Sequence, residues 1–172
     1  MMLPRSLQGS ARTLLAAAAT FLFATVDLHA EGAAKVNVFT KFVGNWIGNG
    51  KIFLSSGKQE NIRCRGTFSP NEVVAGVGMK LELRCANETF NFELQSEINY
   101  NGTQVSGNWT ERSRGLNGTI SGSMKGDEIN AVVESQTFTA MMDLINNGDK
   151  QQVRITSPGS EMSDVLIGLI RK

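Results

Sequence analysis

Histidine is almost absent from this chain of 172 residues, and the single copy, His29, lies near its start. Histidine is the commonest general base in enzymes and the commonest protein ligand of metal ions. The sequence also has no Gly-x-Ser-x-Gly elbow, Walker loop or dinucleotide-binding glycine motif between a suitable strand and helix. We therefore expect a non-enzymatic protein with no metal site and no cofactor.

Long apolar runs are missing as well, and the one apolar stretch near the start is typical of an export leader. Within residues 1–30, Arg5 and Arg12 precede apolar residues 14–26, and a small-residue cleavage site follows. The stretch is shorter than the roughly 20 residues that a membrane-spanning helix needs, so we expect cleavage rather than anchoring. The mature protein, residues 31–172, is then a single domain in the periplasm or outside the cell.

An excess of charge of either sign is also lacking. The whole chain has 17 basic and 16 acidic residues, and the leader removes Arg5, Arg12 and Asp27, which leaves 15 of each. Nucleic-acid-binding proteins usually carry a basic surface. We therefore expect no nucleic-acid partner.

Helical periodicity is limited to residues 35–43, where Phe39, Phe42 and Val43 share a face and predict one short N-terminal helix. From Trp46 onward, turn residues recur about every 8 to 12 positions, which is typical of all-β sandwiches and barrels. We predict about ten strands, at 46–54, 59–68, 77–85, 89–99, 103–111, 116–124, 128–134, 137–145, 151–157 and 164–171.

Short connections between these strands predict an all-β fold, an antiparallel up-and-down meander of about 8 to 10 strands. The last strand is apolar throughout residues 165–170, so both of its faces need cover. An open sheet of this size would also leave an exposed edge. We therefore predict closure into a barrel by pairing of 164–171 with 46–54.

Three turns determine the register of the predicted hairpins. The Asn-Gly pair at 101–102 predicts a two-residue turn that places Leu94 opposite Trp109. The turns at 125–128 and 147–148 determine two further hairpins in the same way. Those two turns place Met124 opposite Ile129, and Leu144 opposite Val153.

Cysteine is scarce, with Cys64 and Cys85 on the second and third predicted strands. A register that aligns 62–68 with 81–85 places the two cysteines directly opposite each other. Facing cysteines in an exported chain predict a disulfide, which would close a loop of about 20 residues and contribute about 3 kcal/mol. A zinc site needs about four ligands, and these two cysteines have no histidine nearby.

Three arginines share the opposite face of the same two strands. In this register Arg65 lies across from Arg84, with Arg63 next to them. Like charges directly opposed are unfavourable unless an anionic group relieves them. The trio is therefore a candidate contact for an envelope protein or a glycan, and the alternative is solvated arginines that pair with Glu60 or Glu82.

Inward positions of the predicted barrel combine large apolar side chains with glycine and alanine. Small inward residues leave room for a cavity, or they let the two walls of a flattened, filled barrel meet. Walls of methionine and phenylalanine suit an apolar ligand. The candidate ligand-binding residues are Phe92, Leu94, Trp109, Met124, Phe138 and Met142.

These patterns favour two kinds of function. The first is an exported, non-enzymatic barrel that binds a small apolar or amphipathic ligand. The alternative is an envelope or secreted interaction or inhibitor module, with a filled barrel that acts through its surface. Glu111 shares a face with Trp109, and we expect its carboxylate at the barrel rim because a lone buried carboxylate is costly.

The tripeptide Gly44-Asn45-Trp46, at the start of the first predicted strand, resembles the Gly-x-Trp motif of lipocalins and related calycins. The resemblance implies a calycin-like barrel in which Trp46 packs at the closed end beneath an arginine from late in the chain, a position that Arg171 suits. The Thr-Asp-Tyr type motif of many lipocalins is absent. The chain as a whole resembles small exported β-barrel proteins of alphaproteobacteria.

Overall fold

The computed structural model describes residues 37–73 and 76–172, so the predicted leader lies outside the described residues. Ten strands follow one another along the chain and match the predicted ones to within a few residues. They are β1 (Gly44–Leu54), β2 (Gln59–Asn71), β3 (Val77–Ala86), β4 (Asn91–Tyr100), β5 (Val105–Glu111), β6 (Leu116–Lys125), β7 (Glu128–Ser135), β8 (Thr139–Asn147), β9 (Lys150–Thr156) and β10 (Met162–Arg171).

The sheet closes into a barrel. Every strand pairs antiparallel with its neighbour in sequence, and β1 pairs with β10 from Trp46 opposite Arg171 to Leu54 opposite Met162. The predicted all-β meander and its closure through the last strand are confirmed. Closure pairs both edges of the sheet, so within the described residues no long strand edge is left exposed.

Two of the three predicted turns give the correct register. Met124 lies opposite Ile129 in the hairpin of β6 and β7. Leu144 lies opposite Val153 in the hairpin of β8 and β9. Gly126 and Gly148 adopt positive φ angles of 60° and 67°, which glycine tolerates without steric cost.

The two-residue turn predicted at Asn101-Gly102 is wrong, and a four-residue loop connects β4 to β5 instead. The Asn101 side-chain oxygen accepts the backbone N–H groups of the third and fourth loop residues at 2.9 and 2.8 Å. Trp109 therefore lies opposite Ser96 rather than Leu94. Because the shift is by two residues, every side chain keeps its predicted face.

The described part of the predicted helix, residues 37–43, forms turns, and residues 35 and 36 lie outside the described range. The Asn37 carboxamide accepts the Phe39 N–H at 3.0 Å, and the Phe42 N–H donates to Phe39 O at 2.8 Å. Gly44 follows with a φ of 144°, where the chain enters β1. Within the described residues, no helix is long and apolar enough to span a lipid bilayer.

This 37–43 segment covers one end of the barrel, which we call the base; the other end is the mouth. Phe39, Phe42 and Trp46 are fully buried there. The Trp46 indole N–H donates to Phe42 O at 2.9 Å, and the Gln151 carboxamide donates to the same oxygen at 3.0 Å. Apolar packing and buried hydrogen bonds together hold the segment against the base.

Arg171 lies over the Trp46 ring, with Cζ 4.3 Å from the ring centroid. Its guanidinium also donates to Lys41 O at 2.8 Å and to Val43 O. Gly44 has a positive φ that favours glycine, and a Cβ there would displace this guanidinium. Arg171, at the end of β10, thereby holds the 37–43 segment in place, because its side chain donates to two carbonyl groups of that segment.

The predicted disulfide between Cys64 and Cys85 is confirmed. The two residues lie directly opposite each other on β2 and β3, and their sulfur atoms are bonded. Both residues are buried in the core. The bond connects two adjacent strands, and the two cysteines are 21 residues apart in sequence.

Candidate ligand-binding cavity

A cavity of about 270 Å³ occupies the mouth half of the barrel, between the mouth loops and the packed base. Strands β2 to β10 all contribute lining side chains, because alternation turns every second residue inward. The lining is almost wholly aliphatic and aromatic, with Ile62, Leu83, Ile120, Ile155 and Ile167 among its members. Its volume lies just below the range of about 300 to 1,000 Å³ that is usual for small-molecule sites.

Five of the six candidate ligand-binding residues line this cavity; they are Phe92, Leu94, Trp109, Phe138 and Met142. Met124 does not. It lies one residue from the base end of β6, opposite Ile129, and packs on the core below the cavity floor. Alternation predicted its inward direction, but its depth along the barrel depends on where the base packing ends.

Trp109 forms one wall of the cavity in a fixed orientation. Its indole N–H donates to Glu134 O at 3.2 Å, and its ring lies 5.7 Å from the Phe138 ring, centroid to centroid. Gly118 lies directly opposite on β6, and a Cβ there would come within 2.9 Å of the indole nitrogen. The glycine therefore leaves the space that the ring needs to reach its carbonyl partner.

Glu111 is the buried carboxylate of the cavity and ends β5 at the mouth. Its oxygens accept the backbone N–H groups of Glu93 (2.9 Å), Ser113 (3.0 Å) and Arg114 (2.9 Å). Burial works to raise the pKa of Glu111, but these hydrogen bonds outweigh it and the pKa lies below its ordinary value. The carboxylate therefore stabilises the turn after β5.

Arg114 supplies a cation beside the apolar mouth. Its Cζ lies 4.4 Å from the centroid of the Phe92 ring, and Phe92 in turn stacks on Phe90 at 6.1 Å. A longer contact of 3.7 Å joins Arg114 Nη1 to Glu111 Oε2. The mouth therefore combines an aromatic surface with a guanidinium, which suits a ligand with a polar or acidic end.

Two buried serines of the lining were missed by the sequence analysis. Ser96 and Ser157 are each 6% exposed, and both face the cavity. Ser157 Oγ donates to Thr139 O at 3.3 Å, whereas Ser96 Oγ has no hydrogen-bond partner among the residues that the structure describes. A polar residue on the otherwise apolar inward face of β4 was the available signal for Ser96.

Comparison with known proteins supports the fold assignment. No family model matches the chain, and no curated protein matches it. The crystal structure of Rv2717c from M. tuberculosis is similar at a TM-score of 0.60, with 12% identity over 81% of this chain and 99% of that one. The S-type phycobiliprotein lyase CPES from Guillardia theta is similar at a TM-score of 0.59, with 8% identity over 78% of this chain and 90% of that one.

The fold is a calycin-like barrel. At these identities the likeness concerns the fold alone, and it agrees with what the Gly-x-Trp resemblance implies for the architecture. A fold of this kind can have many functions, and the residues of the cavity and surface determine which one this chain has.

The three arginines lie on the outer face of β2 and β3, on the opposite side of the sheet from the cavity lining of this calycin-like barrel. Arg65 lies directly opposite Arg84, and both are exposed, as is Arg63. None of the three forms an ion pair with a described residue: Glu60 pairs with Lys58 instead. The arrangement places three guanidinium groups on one surface without an ion pair in the described chain, with Glu93 on β4 directly opposite Arg84.

Proposed function

We propose that this calycin-like barrel is an exported, non-enzymatic protein that binds a small apolar or amphipathic ligand in its mouth-end cavity. The observation that carries the proposal is the cavity itself, about 270 Å³ with an almost wholly apolar lining. Transfer of apolar ligand surface from water into such a site is favourable by roughly 25 cal/mol for each Å² buried. Arg114 and Phe92 at the mouth suit a polar end of the same ligand.

The chemistry of the lining supports binding rather than catalysis. The titratable residues of the cavity wall are Glu111, Arg114 and Glu161. Glu111 already accepts three backbone N–H groups, so its oxygens are poorly placed to take a proton from a ligand. An arginine keeps its proton at physiological pH and does not act as a general base.

The Cys64–Cys85 disulfide supports export, because disulfides persist in oxidising compartments such as the bacterial periplasm and the extracellular space. We expect fractionation of cells that express the full chain to recover a processed form, cut after Ala30, from the periplasm or the medium. A full-length form in the cytosol with two free thiols would contradict export.

A pair of matched variants tests ligand binding. Leu94 lines the cavity, and its neighbour Gln95 belongs to the outer face, where its side chain contacts Glu82. Leu94→Trp should fill the cavity and abolish uptake of an uncharged hydrophobic dye, whereas Gln95→Trp should leave uptake unchanged. Native mass spectrometry of protein from its own host adds a direct test. No bound molecule and no dye uptake by the wild-type protein would refute the proposal.

A second candidate function rests on the arginine surface of Arg63, Arg65 and Arg84. Opposed guanidinium groups without an ion pair in the described chain favour contact with an anionic group on an envelope protein or a glycan. Arg65→Glu should weaken capture of such a partner in a pull-down, and Lys125→Glu, the same charge change at an exposed site on β6, should not. Equal capture by both variants would refute this second function.

A further inference from the structure

Ser96 places one polar atom near the floor of the cavity, whereas the other polar lining residues lie at its mouth. On β4 the lining runs inward from Phe92 through Leu94 and Ser96 to Ile98, the deepest lining residue of that strand. Ser96 is 6% exposed, and its Oγ has no hydrogen-bond partner within residues 37–73 and 76–172. A buried hydroxyl without a partner destabilises a folded protein, so its presence here needs a reason.

The neighbours of Ser96 offer it no partner. Leu81 and Trp109 lie directly opposite on the two adjacent strands, and Leu94 and Ile98 flank it on β4. The Trp109 N–H is already donated to a backbone carbonyl. A buried water typically needs two to four polar partners, and the four residues that flank Ser96 have apolar side chains or, in Trp109, an N–H that is already donated.

Resting on the proposed function, we propose that the ligand carries an uncharged hydroxyl or carbonyl group at the end that enters first, and that this group hydrogen-bonds to Ser96 Oγ. An ionised group at this depth would lack counter-charges, because the titratable lining residues Glu111, Arg114 and Glu161 lie at the mouth. A cavity of about 270 Å³ lies just below the usual range for small-molecule sites, so the ligand has to be compact. The ligand class is thus a compact apolar molecule with one neutral oxygen at its buried end.

A matched pair of probes separates this hydrogen bond from general apolar binding. Para-ethylphenol and para-ethyltoluene have nearly the same shape and differ by a hydroxyl in place of a methyl group. Calorimetric titration of each probe into the wild-type protein and into Ser96→Ala gives a ratio of the two affinities for each protein. We expect Ser96→Ala to shift this ratio by about threefold to tenfold against the phenol.

Ser157→Ala is the matched control, since Ser157 is equally buried in the same lining but donates its hydroxyl to Thr139 O. Because Ser157 lies in the mouth loop after β9, away from the buried end of the probe, this variant should change both affinities by the same factor. Thermal unfolding of Ser96→Ala should occur at the wild-type temperature or above it, because the variant removes an unpaired buried hydroxyl. That result would show that the affinity change does not arise from loss of the fold.

The outcomes distinguish the two proposals. If both probes bind and Ser96→Ala leaves the affinity ratio unchanged, the role of Ser96 is refuted while ligand binding stands. If neither probe binds to the wild-type protein, both ligand binding in this cavity and the role of Ser96 are refuted. A ratio shift in Ser96→Ala that Ser157→Ala does not share supports the hydrogen bond.

Discussion

Glu111→Gln tests whether the buried carboxylate of the cavity has a structural role. Glutamine retains one acceptor oxygen for two of the three N–H groups, but its NH2 group then faces the Arg114 N–H. Leaving such a buried donor without a partner costs about 1 to 3 kcal/mol. For a domain of this size each kcal/mol corresponds to roughly 3 to 5 °C, so the thermal midpoint at neutral pH should fall by roughly 3 to 15 °C.

The stabilisation by Glu111 depends on pH, and the direction of its pKa shift determines where it is lost. The pKa of Glu111 lies below its ordinary value of 4.5, so the folded protein keeps the carboxylate charged at a lower pH than the unfolded chain does. The stabilisation is therefore complete above pH 4.5 and is lost as the pH falls through the folded-state pKa. The difference in midpoint between wild-type protein and Glu111→Gln should close over the same acidic range.

Thermal unfolding followed by circular dichroism between neutral and acidic pH provides the measurement. Glu88→Gln is the control, because Glu88 is exposed in the loop between β3 and β4 and should change the midpoint by less than about 2 °C. A difference for Glu111→Gln that stays constant through the acidic range would refute an ionic origin. An unchanged midpoint at neutral pH would refute the structural role altogether.

Three further predictions concern the frame of the barrel. Reduction of the disulfide should lower the free energy of unfolding by about 3 kcal/mol, which denaturant titration with and without reductant measures. Gly118→Ala should cost about 1 to 3 kcal/mol and alter Trp109 fluorescence, whereas Gly168→Ala, with open space around its Cβ, should do neither. Arg171→Ala should speed amide hydrogen exchange within residues 37–43 while leaving the mouth loops unchanged, because its guanidinium holds that segment.

The strand order could be predicted from the sequence because turn residues and apolar alternation are local signals. The register at Asn101 could not, since Asn-Gly suits a two-residue turn and the choice of a longer loop depends on the Asn101 side chain accepting two N–H groups. The described part of the predicted helix, residues 37–43, forms turns, and side chains of β9 and β10 bind its last carbonyl groups. The difference at Asn101 therefore arises within the loop itself.

The cavity could be predicted in part. Alternation alone identifies which residues face inward, and the two-residue register shift left Phe92, Leu94 and Trp109 on the correct face. Depth is a different quantity, because it depends on where the base core ends, and so Met124 was assigned to the cavity although it packs below the floor. The hydrogen bonds of Glu111 and the lack of a partner for Ser96 depend on neighbouring strands and loops that no single stretch of sequence contains.

The closed meander also implies an order of folding. Nine of its ten strand pairings join neighbours in sequence, and only the seam between β1 and β10 joins strands from opposite ends of the described chain. Local hairpins pay little loop-closure entropy, whereas the seam has to close the longest loop in the barrel. We therefore expect the seam to form after the folding transition state, so that substitutions of Ile47 or Ile170 speed unfolding and leave the folding rate nearly unchanged.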